Sequence, residues 1–120
     1  MLVAMMRVAM RRAHVPVIMH LDHGKDLQII KQAIAAGYTS VMFDGSSLPY
    51  AENVAKTKQV VRWAHAKSVW VEAELGAIKG VEDFVSVAER DATFTSPEQA
   101  LAFVERTGCD SLAVSIGTAH

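Results

Sequence analysis

The 120-residue sequence has one cysteine, no long apolar run and almost no excess charge. Because Cys109 has no second cysteine to pair with, a secreted scaffold held by internal disulfides is excluded. No segment approaches the ~18 apolar residues that a membrane-spanning helix needs, so no membrane partner is expected. A net charge of −1 lacks the basic excess typical of nucleic-acid-binding proteins, so no nucleic-acid partner is expected either.

The sequence does have a high apolar content, 51% of its residues, which argues against a disordered chain. Its length suits about one domain, on the usual scale of ~100–200 residues. The apolar N-terminus precedes Arg11 and Arg12, which reverses the order found in a secretory signal peptide. An amphipathic helix fits this segment better. We therefore expect a cytoplasmic protein with a single domain over residues 1–120.

Four short apolar runs follow one another along the chain, each bounded by turn residues. Such runs are typical of strands that are buried on both sides in a parallel sheet. The segments between them have helical spacing, with Gly37 and Gly108 as expected C-caps and Ser96 as an expected N-cap. This alternation predicts an α/β fold with a parallel βα sheet or barrel. The predicted strands are 15–22, 40–44, 69–75 and 111–116.

Reactive side chains recur where the predicted strands end. Asp22 and His23, Asp44 and Glu74 each end a strand, and His120 closely follows the fourth. In parallel α/β barrels, this carboxyl edge holds the active site. Histidine suits zinc, and carboxylates suit harder ions or acid/base catalysis. Two imidazoles and three carboxylates at one edge therefore predict a metal site with an acid/base partner.

Each of these residues also has an ordinary structural interpretation. A histidine–aspartate cluster occurs by chance, a Glu-x-Glu pair usually marks an exposed strand face, and Asp44 before Gly45 is typical of a turn. Glu72 and Glu74, however, lie in an otherwise apolar run, where paired carboxylates are costly without a cation or hydrogen bonds. The recurrence of such groups at successive strand ends favours the functional interpretation.

The segment HLDHG, His20–Gly24, resembles the class II, metal-dependent ketose-bisphosphate aldolases, which include the fructose- and tagatose-bisphosphate aldolases. Further matching segments follow in the family's order and spacing over nearly the whole chain. The resemblance implies part of a TIM (β/α)8 barrel, with four consecutive parallel strands equivalent to the third to sixth of that barrel. The matching segments are VPVIMHLDHG (15–24), TSVMFDGSSLPY (39–50), VEAELG (71–76), VED (81–83) and TGCDSLAVSIGTAH (107–120).

The resemblance implies a reaction and two residues that move protons in it. The expected reaction is reversible, zinc-dependent aldol cleavage of a ketose 1,6-bisphosphate to dihydroxyacetone phosphate and glyceraldehyde 3-phosphate. Asp22 resembles the acid/base that serves the aldehyde-derived oxygen. Glu82, on the long connection after the third strand, resembles the proton shuttle at the dihydroxyacetone-phosphate carbon.

The same resemblance implies the metal ligands. His23 and His120 are similar to two of the family's three catalytic zinc ligands. Asp44 and Glu74 are similar to the pair that holds a second metal position or the displaced zinc. Full-length members of the family are expected to be homo-oligomers.

The chain is about half the length of a complete barrel, which needs ~250 residues. The family's third zinc histidine and its glycine-rich phosphate loop are expected beyond His120, so the domain is expected to be incomplete and the isolated chain inactive. A non-catalytic, metal-binding half-barrel is therefore the alternative to a working aldolase segment. An unrelated βα barrel, such as an isomerase, is a third interpretation, and it requires the motif match to be coincidental.

An incomplete barrel also predicts self-association. Its first and fourth strands would be sheet edges that a closed barrel lacks, and unpaired edges pair with other chains. The inner face is expected to expose Ile18, Met42, Trp70 and Ala113 beside the carboxylates.

Overall fold

A computed structural model describes residues 2–76 and 94–116 of the chain. In these two ranges, four helices alternate with four strands, and none of the helices has the length and apolar character needed to cross a membrane. Glu82 and His120 lie outside the described residues. The elements are α1 (Leu2–Arg12), β1 (His20–Gly24), α2 (Leu27–Ala36), β2 (Ser40–Phe43), α3 (Tyr50–His65), β3 (Trp70–Leu75), α4 (Pro97–Thr107) and β4 (Ser111–Val114).

The four strands form one parallel sheet in the order β1-β2-β3-β4, which confirms the predicted arrangement. Consecutive parallel strands that stay in sequence order are joined by right-handed crossovers, which place their helices on one side. All four strands therefore end at the same edge of the sheet. The ends of β1, β2 and β3 carry the residues from which a site was predicted.

The core lies between the sheet and the helices. Alternate residues of β2 and β3 point into it, because successive side chains on a strand point to opposite faces. Their partners come from α2, α3 and α4, so these three helices cover one face of the sheet. The fully buried members of this core are Ile30, Val41, Phe43, Val60, Ala64, Val71, Ala73 and Phe103.

The helix ends follow the signals expected from the sequence. Gly37 ends α2 in the left-handed conformation, with a φ of 90°, and its N–H donates to the last carbonyls of the helix. Gly108 ends α4 in the same way, with a φ of 72°. At the start of α4, the Ser96 hydroxyl accepts a hydrogen bond from the Gln99 N–H at 3.1 Å. These caps satisfy main-chain groups that a helix leaves without partners, and they fix where each helix meets the next strand.

The first strand begins later than the sequence predicted. The predicted run starts at residue 15, but β1 covers His20–Gly24. Its ladder starts with the pair His20↔Ser40, because β2 itself begins at Ser40. Before β1, Val15, Val17 and Ile18 are exposed, with Val15 at 68%, whereas Met19 is buried at 2%.

The inner face of the sheet is exposed at its amino edge but not throughout. Ile18 and Trp70 are 72% and 66% exposed, as expected, and Ala113 is half-buried. The expectation for Met42 is wrong, since only 3% of this residue is exposed. Because β2 is a central strand and Met42 pairs with Glu72, neighbouring strands flank this side chain on both sides.

Cys109 provides a direct test of this packing. The residue is 7% exposed, and burial raises the pKa of its thiol. Because the thiolate is the reactive form, we expect the native chain to react with Ellman's reagent at least about tenfold more slowly than the same chain in urea. Equal rates in buffer and in urea would contradict the burial of Cys109 after the end of α4.

Candidate metal centre

A bulge in β1 brings His23 into the site. Strict alternation would place the His23 side chain on the opposite face of the sheet from that of Asp22. Between two successive ladder pairs, however, β1 advances three residues, from 21 to 24, while β2 advances two, from 41 to 43. His23 occupies this bulge with a φ of 46°, in the left-handed region, which costs a non-glycine residue about 1–2 kcal/mol. Its Nδ1 consequently lies 3.3 Å from Oδ2 of Asp44.

Gly24 permits this local path. A Cβ at Gly24 would lie 2.6 Å from the carbonyl oxygen of Met42 and 2.9 Å from Cγ1 of Ile30. The Gly24 carbonyl also accepts a hydrogen bond from the Asp44 N–H at 2.9 Å. The glycine in HLDHG therefore lets the end of β1 lie directly against the end of β2.

Asp44 is a buried carboxylate with two differently engaged oxygens. Oδ1 accepts hydrogen bonds from the Ser46 hydroxyl at 2.6 Å and from the Ser46 N–H at 3.1 Å. Oδ2 lies 3.4 Å from the Lys25 ammonium as well as near His23. Burial raises the pKa of Asp44, but the bonds from Ser46 and the contacts with His23 and Lys25 outweigh it and hold the pKa below its usual value. The turn and site interpretations of Asp44 thus both apply, each to one oxygen.

Glu74 supplies the second buried carboxylate. It is 4% exposed near the end of β3, and its Oε2 lies 3.7 Å from Nδ1 of His23. One ligand atom each from His23, Asp44 and Glu74 lies within 4.8 Å of the others. Zinc with ligands at ~2.0–2.2 Å in tetrahedral geometry places those ligands ~3.4 Å apart, close to the two histidine–carboxylate distances. One imidazole nitrogen and two carboxylate oxygens therefore fit a divalent cation such as zinc.

The structure brings together three of the predicted site residues: His23, Asp44 and Glu74. Asp22 immediately precedes His23 on β1 and has an exposed side chain, within reach of a solute at this edge. The predicted ligand His120 and the predicted proton shuttle Glu82 are outside the described ranges.

The second acidic residue of β3 has a different environment. Glu72 Oε2 lies 3.6 Å from Nε2 of His20, whose Nδ1 is 2.8 Å from the Ser40 hydroxyl. This cluster lies on the inner face, across β1, β2 and β3 and closer to their amino ends. Of the two glutamates in Glu-x-Glu, Glu74 lies in the candidate cation site, while Glu72 pairs with a histidine.

Sequence reasoning missed Lys25, Ser46 and Asn53. Lys25 and Ser46 contact Asp44 as described, and the Asn53 side chain donates to the Glu74 carbonyl oxygen at 2.8 Å. One of the three had a usable signal: Asn53 continues the stripe of α3 that includes Val60 and Ala64, so a buried position was foreseeable from helical spacing.

A parallel βα sheet with candidate cation ligands at its carboxyl edge is typical of part of an α/β barrel. A sequence profile of the family fructose-bisphosphate aldolase class II matches residues 1–120. The chain belongs to this family, which confirms the resemblance inferred from HLDHG and the segments that follow it.

Individual relatives agree with this assignment. Over 110 residues, the chain is 52% identical to the fructose-bisphosphate aldolase of Thermus caldophilus, covering 92% of this chain and 36% of that protein. The structure is similar to the YdjI aldolase from Escherichia coli K12, with a TM-score of 0.84, 42% identity and coverage of 99% and 41%. It is also similar to the fructose-bisphosphate aldolase of Campylobacter jejuni, with a TM-score of 0.75, 25% identity and coverage of 98% and 39%. The chain thus spans well under half of each relative.

The paired carboxylates generate a prediction about zinc binding. Glu74→Gln keeps the shape of the side chain but removes its charge. Loss of a residue that only supports a metal ligand already lowers metal affinity about tenfold or more, so we expect the affinity for zinc to fall at least about tenfold. Isothermal titration calorimetry of the purified chain with zinc chloride measures this affinity.

Glu72→Gln is the matched control, because Glu72 lies on the same strand and the same face and has a side chain 33% exposed. We expect this variant to bind zinc as the unmodified chain does. Equal losses in the two variants would show that general negative charge, rather than the site formed with His23 and Asp44, attracts the metal.

Proposed function

We propose that this chain supplies metal-site and acid/base residues of a zinc-dependent class II aldolase. The reaction is the reversible cleavage of a ketose 1,6-bisphosphate, fructose or tagatose, to dihydroxyacetone phosphate and glyceraldehyde 3-phosphate. One observation carries the proposal: His23, Asp44 and Glu74 meet at the carboxyl edge of a parallel sheet whose sequence belongs to the aldolase family. A cytoplasmic location is part of the proposal, since one cysteine in 120 residues offers no disulfide framework of the kind common in small secreted domains.

The proposed metal ligands are His23, Asp44 and Glu74, with His120 as a further ligand. Asp44 and Glu74 can alternatively hold a second metal ion. When bound, zinc supplies Lewis-acid polarisation of the substrate's ketone oxygen. The surroundings of Asp44 support this assignment, because the bonds from Ser46 and the contacts with His23 and Lys25 hold its pKa below the usual value despite burial and so favour the charged carboxylate.

Two carboxylates are proposed to move protons. In the cleavage direction, Asp22 accepts the proton from the hydroxyl oxygen that becomes the aldehyde oxygen. The carbon–carbon bond then breaks, and its electron pair remains on the dihydroxyacetone-phosphate carbon. Glu82 delivers a proton to that carbon, and the reverse transfers operate in condensation. The exposed Asp22 side chain next to His23 supports its role.

A metal-binding half-barrel without turnover is the second candidate. It is favoured by coverage, since the chain corresponds to 36% of the Thermus caldophilus aldolase and its described part forms four parallel strands, whereas a barrel has eight. In this candidate, the isolated chain binds zinc at the same residues but cleaves neither bisphosphate.

A segment exchange tests the catalytic proposal. We expect a Thermus caldophilus aldolase that carries this chain in place of its own matching segment to cleave at least one of the two bisphosphates when loaded with zinc. Asp22→Asn in this chimera should lower kcat by about 10²-fold or more, the usual contribution of general acid–base catalysis. Lys58→Gln, at an exposed position of α3, is the control and should keep the chimera's kcat.

A folded, zinc-loaded chimera that cleaves neither sugar would contradict the catalytic proposal. The isolated chain is assayed in parallel with both substrates and zinc. We expect no turnover from it, and clear turnover would rule out the half-barrel candidate.

The open sheet also generates a prediction about assembly. In the described sheet, β1 and β4 are edge strands, and Ile18 and Trp70 are exposed beside them. We propose that the isolated chain self-associates and that zinc promotes this, because a cation offsets the repulsion between acidic inner faces. Analytical ultracentrifugation with and without zinc measures the mass of the chain in solution. At about tens of micromolar, exposed sheet edges and apolar surface already drive aggregation. A stable monomer at that concentration, both with and without zinc, would contradict the proposed self-association.

A further inference from the structure

A buried polar pair on α3 lies against the candidate metal centre. Asn53 and Thr57 are 1% and 0% exposed and stand one helical turn apart. The remaining buried residues of this helix are apolar, and a buried amide or hydroxyl is unfavourable unless it forms hydrogen bonds. The bonds that this pair forms therefore show what it contributes.

The Asn53 amide has a defined orientation. Its Nδ2 donates to the main-chain carbonyl of Glu74 at 2.8 Å, and its Oδ1 accepts from the Thr57 hydroxyl at 3.0 Å. Reversing the amide would set Oδ1 against the Glu74 carbonyl, so that two acceptors would face each other. The Glu74 carbonyl therefore selects this orientation, and the Thr57 hydroxyl gives the buried Oδ1 a hydrogen bond in it.

The same amide contacts the end of β2. A Cβ at Gly45 would lie 2.2 Å from Oδ1 and 2.6 Å from Cγ of Asn53. The main chain immediately after Asp44 is therefore packed directly on the amide. One side chain thus touches the backbone at both strand ends that carry the acidic residues of the site.

We propose that Asn53 is a positioning residue, which sets the separation of Asp44 and Glu74 from beneath the sheet and is held in place by the hydrogen bond from Thr57. The inference rests on the proposed function of this site as a metal centre. The two carboxylates belong to different strands, and a metal site needs its ligands held within ~0.5 Å of the productive geometry. A hydrogen bond to one strand end and a packing contact with the other provide such a constraint, without any direct contact between Asn53 and the metal.

The test uses substitutions of similar volume in the full chain. Thr57→Val removes the hydroxyl that donates to the buried Asn53 oxygen and so loosens the amide, whereas Thr57→Ser retains that hydroxyl, and Asn53→Leu removes the amide. Val60→Ala is the matched control for lost packing, because Val60 is a fully buried residue of the same helix without a polar group. Circular dichroism sets a temperature at which every variant compared is folded.

We expect Thr57→Val and Asn53→Leu to lower the affinity for zinc about tenfold or more in calorimetry, as is usual for the loss of a supporting shell. Thr57→Ser should bind close to the unmodified chain, and Val60→Ala should lower the melting temperature but not the affinity. If Asn53→Leu does not fold, the comparison of Thr57→Val with Thr57→Ser tests the proposal by itself. Unchanged affinity in Thr57→Val, or an equal loss in Val60→Ala, would overturn the proposal.

A second readout does not depend on zinc. The Asp44 N–H donates to the Gly24 carbonyl at the end of β2, so its hydrogen exchange reports on that strand end. We expect Thr57→Val to accelerate exchange at Asp44 more than at Val41 in the same strand, and Val60→Ala to accelerate both alike. If the unmodified chain fails to bind zinc, the proposed function fails, and this exchange pattern then confirms or overturns the positioning role by itself.

Discussion

Two buried carboxylates at the ends of adjacent strands are the constraint on which the rest of the site depends. Asp44 and Glu74 are 6% and 4% exposed, and like charges brought together out of water repel strongly. The surrounding groups reduce this cost: Ser46 donates two hydrogen bonds to Asp44, while His23 and Lys25 approach the oxygen that faces the centre. A divalent cation between the two carboxylates would reduce it further. In that sense the acidic pair favours the cation binding proposed for this site.

The sheet can hold this pair because its carboxyl edge is tied by side-chain and main-chain bonds. The Asp44 N–H joins β2 to β1 through Gly24, and Asn53 binds the main chain of β3. On the other side, the Thr95 hydroxyl donates to the Leu75 carbonyl at 2.7 Å and accepts from the Ser115 N–H at 3.1 Å, which joins β3 to β4. All four strands are therefore connected at the edge where the chemistry is proposed. Asn53 itself is held in place because its helix, α3, packs in the core against the sheet.

The features predicted from sequence are those with local causes. Gly37 and Ser96 predict helix ends because a cap depends on one residue and its immediate neighbours. Short apolar runs predict strands for the same reason. The meeting of Asp44 and Glu74 followed from strand order alone. The contact of His23 with them was expected only from its position at the end of a strand, since strict alternation would point its side chain to the other face of the sheet. It depends on a bulge set by the register between β1 and β2, which no local pattern encodes. The burial of Met42 and the contacts of Asn53 show the same limit, because both depend on other elements.

A crystal structure of the chain grown with zinc, with the metal located by anomalous scattering, tests the central claim most directly. The account predicts a zinc peak at ~2.0–2.2 Å from a His23 nitrogen and from carboxylate oxygens of Asp44 and Glu74. A peak coordinated instead by His20 and Glu72, with the acidic pair at the strand ends left without metal, would contradict it.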